Sequence, residues 1–576
     1  MKARRLLAWT TVLLFGTVIL ATVAGLTFRV ALGPVVQNSA RDAVYAPHGV
    51  VATSQPLASQ AGLQVLQRGG NAVDAAVTAA AVLNIVEPYM TGLGGDMFAI
   101  LWLEREQRLV GINGSGRAGA LMTRDAVGGD VPETGAKSIT IPGALSGWAA
   151  LLEEHGTITL AEALRPAVAL AQEGFPVSTT TAKEWALSAN DLKEHPGARD
   201  TYLIDGKRAP RAGEWFSNPD LAKTMQAIAD EGPGLLYGGS LGRRIAEHVQ
   251  ELGGYLTNED FASHRSEWVE PLSVPFKNYR LWELPPNGQG IAALEMLRLL
   301  EPYDLAKMGH NSAAYLHHLI EAKKLAYADL QRFVGDPEFM SIKPGQLLAD
   351  DFITTRRAQM NPSRAIQYAA PDRSLTESET TYLVVADEQG NMISFINSLG
   401  GLFGSGVVVP GTGFALQNRA AGFSTQEGQA NLVGPRRRPF HTIIPGFVTR
   451  TAPDGKQQPW LAYGIVGGPQ QPQAHVQVLL NILLFDMDVQ QALDAPRFRH
   501  WRASSVTFET AIPESTIREL HSMGHRTQDQ LMEVGSILLY GENMGLVYGG
   551  GQAIMRNDRG YIAGSDSRRD GLAAAY

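Results

Sequence analysis

The segment running from Thr380 to Asn397 constrains this chain most. Tyr382–Ala386 and Met392–Asn397 are apolar, β-rich runs on either side of Asp387–Asn391, where Gly390-Asn391 supplies turn residues. The pattern predicts an antiparallel hairpin. Thr380-Thr381 stands at its head. A threonine opening a buried strand is an ordinary β-former. If the Glu379–Thr380 bond is cut, however, Thr380 carries a hydroxyl nucleophile and a free α-amine on one residue, pairing nucleophile with base without a histidine.

The 576 residues allow several domains or one large two-part enzyme fold, and 44% hydrophobic with 18% charged residues fits a large core under a soluble surface. A net charge of −8 argues against a nucleic-acid partner. The absence of cysteine excludes disulfides, thiol nucleophiles and thiolate metal sites. Lys2, Arg4 and Arg5 precede an apolar run from Leu6 to Phe28. That run is about 20 residues, long enough to cross a bilayer, and its positive flank places the following chain outside the cytoplasm. Ala21, Ala24 and Gly25 could equally host cleavage of a signal sequence. Residues 1–40 are therefore expected to be a signal sequence or membrane anchor, with membrane contact confined to that segment.

Val50–Ala52, Met97–Leu103 and Leu281–Leu284 read as strands, and Ala58–Arg68, Ala72–Ile85, Ala313–Phe333 and Ala474–Leu484 as helices. Val407–Val409, Gly413–Gln417, Ile443–Val448 and Leu461–Val466 continue a β-rich pattern after the hairpin. Residues 335–379 are polar and lack strong periodicity, so they are expected to be exposed and mobile, as cleavage sites are. Gly238-Gly239-Ser240-Leu241-Gly242 matches a nucleophile elbow, but the preceding Pro233–Tyr237 is a poor strand; a turn opening a helix is the expected structure, with a Ser240 esterase as the competing one. The 13 histidines show no H-E-x-x-H and no close ligand cluster, and His317-His318 lie on different helix faces. Gly92-Leu93-Gly94-Gly95 falls short of a dinucleotide fingerprint.

Several segments occur in a telling order: Gly69-Gly70-Asn71-Ala72-Val73-Asp74-Ala75-Ala76, Gly92-Leu93-Gly94-Gly95-Asp96, Pro142-Gly143, Pro285-Pro286, Ala326-Tyr327-Ala328-Asp329 with Gly335-Asp336-Pro337, Thr380-Thr381 and Gly467-Gly468. Through them the chain, from about Val50 to its end, resembles the γ-glutamyltranspeptidase family of N-terminal-nucleophile hydrolases. The resemblance implies an α+β fold, an αββα four-layer sandwich, cut autocatalytically between Glu379 and Thr380 into a large subunit, 41–379, and a small subunit, 380–576, that form a heterodimer. It implies Thr380 as nucleophile, Thr381 as the second threonine of the motif, Ser398 as a hydroxyl orienting the nucleophile, and the Gly467 and Gly468 N–H groups as the oxyanion site. The substrate would be a small-molecule amide, γ-glutamyl or similar, attacked by water or an amine acceptor, with no cofactor and no metal.

The chain also departs from that pattern. The family's Asn-Asn-x-Met-Asp-Asp-Phe is Gln417-Asn418-Arg419-Ala420-Ala421-Gly422-Phe423, with Gly422 where the amine-binding Asp belongs. Its Pro-Leu-Ser-Ser is Pro439-Phe440-His441-Thr442, and the histidine that often follows the two threonines is Tyr382. Arg117 stands near the position of the carboxylate-binding arginine, out of register by about two residues. With His441 and Thr442 it completes the expected substrate contacts. Arg419, Arg436, Arg437, Arg438 and His441 suggest a more positive site, favouring an anionic acyl group without an α-amine. Oxamate amidohydrolase-like and cephalosporin acylase-like branches share this type of motif. A glutathione hydrolase, a non-γ-glutamyl (oxamate- or glutaryl-type) acylase and a non-catalytic binding homologue are the alternatives.

Overall fold

The computed structural model describes residues 41–366, 379–527 and 544–576. The expected leader lies outside them; among the described residues no helix is long and apolar enough to cross a membrane.

Two seven-stranded sheets form the centre. The first runs, edge to edge, Leu572–Ala575, Val50–Thr53, Glu379–Ala386, Met392–Gly400, Asp96–Leu103, Arg108–Gly114 and Glu267–Val269. The second runs Val44–Ala46, Gly560–Ser565, Gly551–Asn557, Gln457–Ile465, Gly446–Thr451, Tyr279–Glu283 and Leu272–Phe276. Side chains alternate along the Glu379–Ala386 strand, as a period of two requires. Tyr382, Val384 and Ala386 join Phe98, Ile100, Phe447, Ala462 and Ile554 in the core between the sheets. Leu383 and Val385 turn the other way, into a helical layer that contains Ala72–Val86. The second sheet sends Leu461, Tyr463 and Ile465 into the opposite helical layer, with Ala313–Phe333 and Gln471–Phe485. This is the αββα sandwich.

Ala72–Val86 is buried along its whole length, which its Ala- and Val-rich composition permits. Asn71 and Asp74 form a capping box at its start. Asp74 also accepts from Thr157 and Ile158, and Asp387 of the hairpin turn accepts from Ala72 N–H at 2.8 Å. The Gly69–Asp74 segment thus locks a helix onto the hairpin that carries Thr380.

Three sequence expectations change. Val407–Val409 and Gly413–Gln417 are not strands; they meet only through an isolated Val408–Ala415 bridge, in a glycine-rich loop that curls back on itself. The 335–379 stretch is not uniformly exposed: Asp336, Leu347 and Ile353 are buried, and Asp350–Arg357 is a helix. Residues 367–378 lie outside the described ones. Glu379 and Thr380 are buried, 8% and 0% exposed, because the strand starts at Glu379 and pairs with Gly400. A buried, strand-paired peptide bond is a poor target for an external protease.

Candidate active site

Thr380 sits at a register break. Thr381 pairs with Asn397 while Glu379 pairs with Gly400, so the Ser398-bearing strand holds one residue more than its partner there. Such a bulge re-aims side chains locally. The Thr380 hydroxyl is buried and has no protein hydrogen-bond partner among the described residues, whereas Thr381 donates to the Asn397 carbonyl at 3.3 Å and so pins the strand.

A chain of hydrogen bonds leads away from this point. Ser398 Oγ donates to the Glu379 carbonyl at 2.6 Å. It accepts from the Gly400 N–H at 3.0 Å and from Arg419 Nη2 at 2.5 Å. Arg419 Nη1 donates to Thr442 Oγ1 at 2.8 Å. Gln289 Nε2 bridges the carbonyls of Thr442 and Gly468, the latter at 2.8 Å. Gly467 and Gly468 both take positive φ, +108° and +52°, and open the turn that feeds helix Gln471–Phe485. Among the described residues no protein acceptor receives either glycine's N–H. Donors left without an acceptor at a helix start suit a developing anion.

Asp96 holds the large-subunit loops to this network. Its Oδ1 accepts from the Gly116 and Gly143 N–H groups at 3.0 and 3.1 Å, and its Oδ2 meets His441 Nε2 at 3.0 Å. Gly94 and Gly95 pack so closely that a Cβ would lie 2.0 Å from the Ala415 carbonyl and 2.4 Å from that of Ser398. The glycines of the Gly92–Asp96 segment therefore serve backbone approach, and Asp96 serves as the clasp.

The γ-glutamyltranspeptidase family model matches residues 58–576. The chain belongs to the γ-glutamyltranspeptidase family. It is 38% identical to the glutathione hydrolase-like YwrD proenzyme of Bacillus subtilis, over 91% of this chain and 98% of that protein. It is 34% identical to an acylase ACY 1 proenzyme from a Pseudomonas species, over 83% and 87% of the two chains. The crystal structure of a cephalosporin acylase from Bacillus halodurans superposes with a TM-score of 0.85, at 40% identity, covering 94% of this chain and 98% of that one.

Measured against the γ-glutamyltranspeptidase pattern, the structure joins Thr380, Thr381, Ser398, Thr442 and Gly468 in one neighbourhood but rearranges the donor contacts. Arg117 is engaged elsewhere: it pairs with Asp336 at 3.1 Å, Glu338 at 2.9 Å and Glu267 at 3.4 Å, and no hydrogen bond links it to Thr380, Ser398 or Arg419. Asp336 and Glu338 lie more than two hundred residues downstream, beyond the reach of a local motif. His441 is fully buried and both ring nitrogens are engaged, Nε2 with Asp96 and Nδ1 with the Ile443 N–H. Burial, then the Arg419 charge, pushes its pKa down to about 4, so the ring is neutral and donates to Asp96. His441 is thus a strut of the site rather than a free contact. Of the arginines expected to enrich the site, Arg436 is exposed, Arg437 lies over the Phe339 ring and Arg438 pairs with Glu267; Arg419 alone faces Ser398.

Arg419 is buried and forms no ion pair among the described residues, and its Nε has no partner. Desolvation lowers its pKa to about 10, with Asp96 opposing the shift, so it remains a cation at neutral pH. Tyr382, where the family often has histidine, lies flat against Gly464 and bonds Ser394 at 2.7 Å, filling space between the sheets. Asp96, Gln289 and Gly400 also belong to the site; of these, only Asp96 stands inside a segment that the sequence singles out, Gly92–Asp96.

Ser240 is an exposed residue at the first turn of helix Ser240–Glu251, preceded by a 3-10 turn rather than a strand, as a simple helix start requires. The histidines do form one cluster: His317, Glu321 and His525 bring ligand atoms within 4.8 Å of one another. His525 comes from 208 residues away, which hid the cluster from the sequence. Lys324 Nζ sits on Glu321 Oε1 at 2.7 Å and His317 bonds His525 at 2.8 Å, while His525 Nδ1 has no partner among the described residues.

Proposed function

We propose that this protein is a self-cleaving threonine amidohydrolase whose donor is an amide with an anionic acyl group lacking an α-amine, of the glutaryl or oxamate type. The observation that carries the substrate class is the buried Arg419 beside Ser398, which forms no ion pair among the described residues, together with Gly422 where an ammonium-binding carboxylate would stand. A buried cation not in contact with a carboxylate is costly, Asp96 offsets only part of that cost, and an incoming carboxylate relieves more of it. The acylase relatives point the same way. γ-Glutamyl donors, hence glutathione, are the second reading, favoured by the name of the YwrD relative.

In this reading Glu379–Thr380 is cut, leaving subunits 41–379 and 380–576. Mature Thr380 attacks the amide carbonyl, its own amine taking the hydroxyl proton. The Gly467 and Gly468 N–H groups receive the oxyanion, and Ser398 orients the nucleophile. Water, or an amine acceptor, then releases the acyl group from Thr380. The Lys2–Phe28 leader places the enzyme outside the cytoplasm.

Two measurements test this. Denaturing electrophoresis with N-terminal sequencing of the smaller fragment is expected to give two bands and a Thr380 terminus, collapsing to one full-length band in Thr380→Ala. A full-length band in both proteins sinks the self-cleaving enzyme. Processed protein assayed side by side on glutaryl, oxamate and γ-glutamyl amides is expected to favour the first two; a preference for γ-glutamyl amides by orders of magnitude refutes the substrate class.

A further inference from the structure

Resting on the assignment of Glu379–Thr380 as the cut, we infer that Arg419 is a positioning residue for self-cleavage, which it promotes by aiming the single Ser398 hydroxyl proton at the Glu379 carbonyl.

Hydrogen-bond capacity fixes the orientation of this hydroxyl. A serine hydroxyl has one proton to donate and two lone pairs to accept with. Both acceptor positions of Ser398 Oγ are filled, by Arg419 Nη2 at 2.5 Å and by the Gly400 N–H at 3.0 Å. Its one proton is left to point at the remaining neighbour, the Glu379 carbonyl oxygen at 2.6 Å. The rotor is therefore set before reaction, which is what electrostatic preorganisation requires. Arg419 is itself held from its other side by Thr442, and Gly400 takes φ +97° with Asn418 Oδ1 only 2.0 Å from where a Cβ would sit. Neither donor has freedom to turn away.

The same arrangement supplies charge. The guanidinium lies one hydroxyl away from the oxygen that turns negative, inside a buried site where such a charge is weakly screened. By contrast, Thr380 Oγ1 has no acceptor among the described residues to take its proton. The uncut chain thus invests in the electrophile. Thr380 Oγ bonds to the Glu379 carbonyl carbon, and the carbonyl electron pair moves onto the oxygen held by Ser398. Collapse breaks the Glu379–Thr380 C–N bond. The proton that leaves the hydroxyl ends on the Thr380 amine, and an ester joins Glu379 to Thr380 Oγ. Water then splits the ester, its hydroxyl going to the Glu379 carbon and its hydrogen to Thr380 Oγ.

Arg569 adds a steadying contact from the small-subunit side, 3.5 Å from the Glu379 carboxylate and paired with Glu184. It holds the side chain preceding the cut, while Arg419 acts on its carbonyl.

The test is a time course of cleavage of the full-length chain made by cell-free synthesis, followed by denaturing electrophoresis, for wild type, S398A, R419Q, R419K and the S398A/R419Q double variant. Loss of one such donor slows reactions by about 10²–10³-fold, the slowing expected for S398A. R419Q is expected to cleave at least about tenfold more slowly, R419K to recover most of the rate, and R419Q to add little to the loss already caused by S398A, since residues acting through one another are not additive. R419Q cleaving at the wild-type rate overturns the inference, as does R419Q slowing S398A as much as it slows wild type. Should R419Q fail to fold, R419K decides: a slowing as severe as that of S398A in a protein with wild-type melting overturns the charge argument. A wild-type chain that is not cut at Glu379–Thr380 removes the proposed function and this inference together, whereas the variant results bear on Arg419 alone.

Discussion

Installing the missing carboxylate at Gly422 should convert donor preference. Gly422 closes the Arg419–Gly422 3-10 turn, its carbonyl held by Asn431 Nδ2 at 2.6 Å. A Cβ added there meets only the Phe440 carbonyl, at 3.4 Å, an ordinary contact, and Gly422 does not use the left-handed backbone region. Gly422→Asp should therefore fold and self-cleave. The new group faces a half-buried position. A charge-assisted hydrogen bond to an ammonium in such a setting contributes roughly 1.5–3 kcal/mol, one to two decades in affinity. Glutaryl and γ-glutamyl anilides differ only in the α-amine, so the ratio of their kcat/KM values isolates the contact. That ratio is expected to rise about 10- to 150-fold toward the γ-glutamyl donor, with most of the change in KM, because the contact is made equally in ground and transition states. A folded, fully processed Gly422→Asp protein with an unchanged ratio would refute the view that this position contacts the donor amine.

Two further outcomes follow from burial. Burial raises the Glu87 carboxyl to about 7, despite a hydrogen bond from Ser54 and the nearby Arg569 charge. The native state keeps a proton that the unfolded chain loses near the ordinary 4.5. Its contribution is thus full below that value and is lost as pH rises through 7, up to about 3 kcal/mol. Thermal melting across pH 5–8 should show this decline in wild type and a flatter curve in Glu87→Gln. Gly94→Ala forces a methyl to 2.0 Å from the Ala415 carbonyl and disturbs the Gln417 N–H bond to Gly94 at 2.9 Å. Neither backbone can yield cheaply, so a loss of more than about 3 kcal/mol is expected in urea titrations of the protein.

Much of the architecture was legible along the chain because it rests on local periodicity. The apolar runs Tyr382–Ala386 and Met392–Asn397 on either side of a turn predicted the antiparallel hairpin, and the repeat from Ala313 to Phe333 predicted the helix that spans those residues. Val407–Val409 looked like a strand from β-propensity alone; the glycines around it turned the chain before any ladder formed. Polarity likewise misjudged Glu379, because a charged residue is expected at the surface until a sheet partner and a buried arginine claim it.

The site divides along the same line. Residue identity alone determined which groups were available: a threonine at the head of a hairpin, paired glycines before a helix, and no acid at position 422. Only folding decided what each group touches. Arg117 was drawn to Asp336 and Glu338, His441 to Asp96, and Arg419 to a hydroxyl 21 residues before it. Periodicity is written into neighbouring residues, whereas a hydrogen-bond partner is chosen by how two sheets and their loops pack, and that choice converts a threonine into an addressable peptide bond.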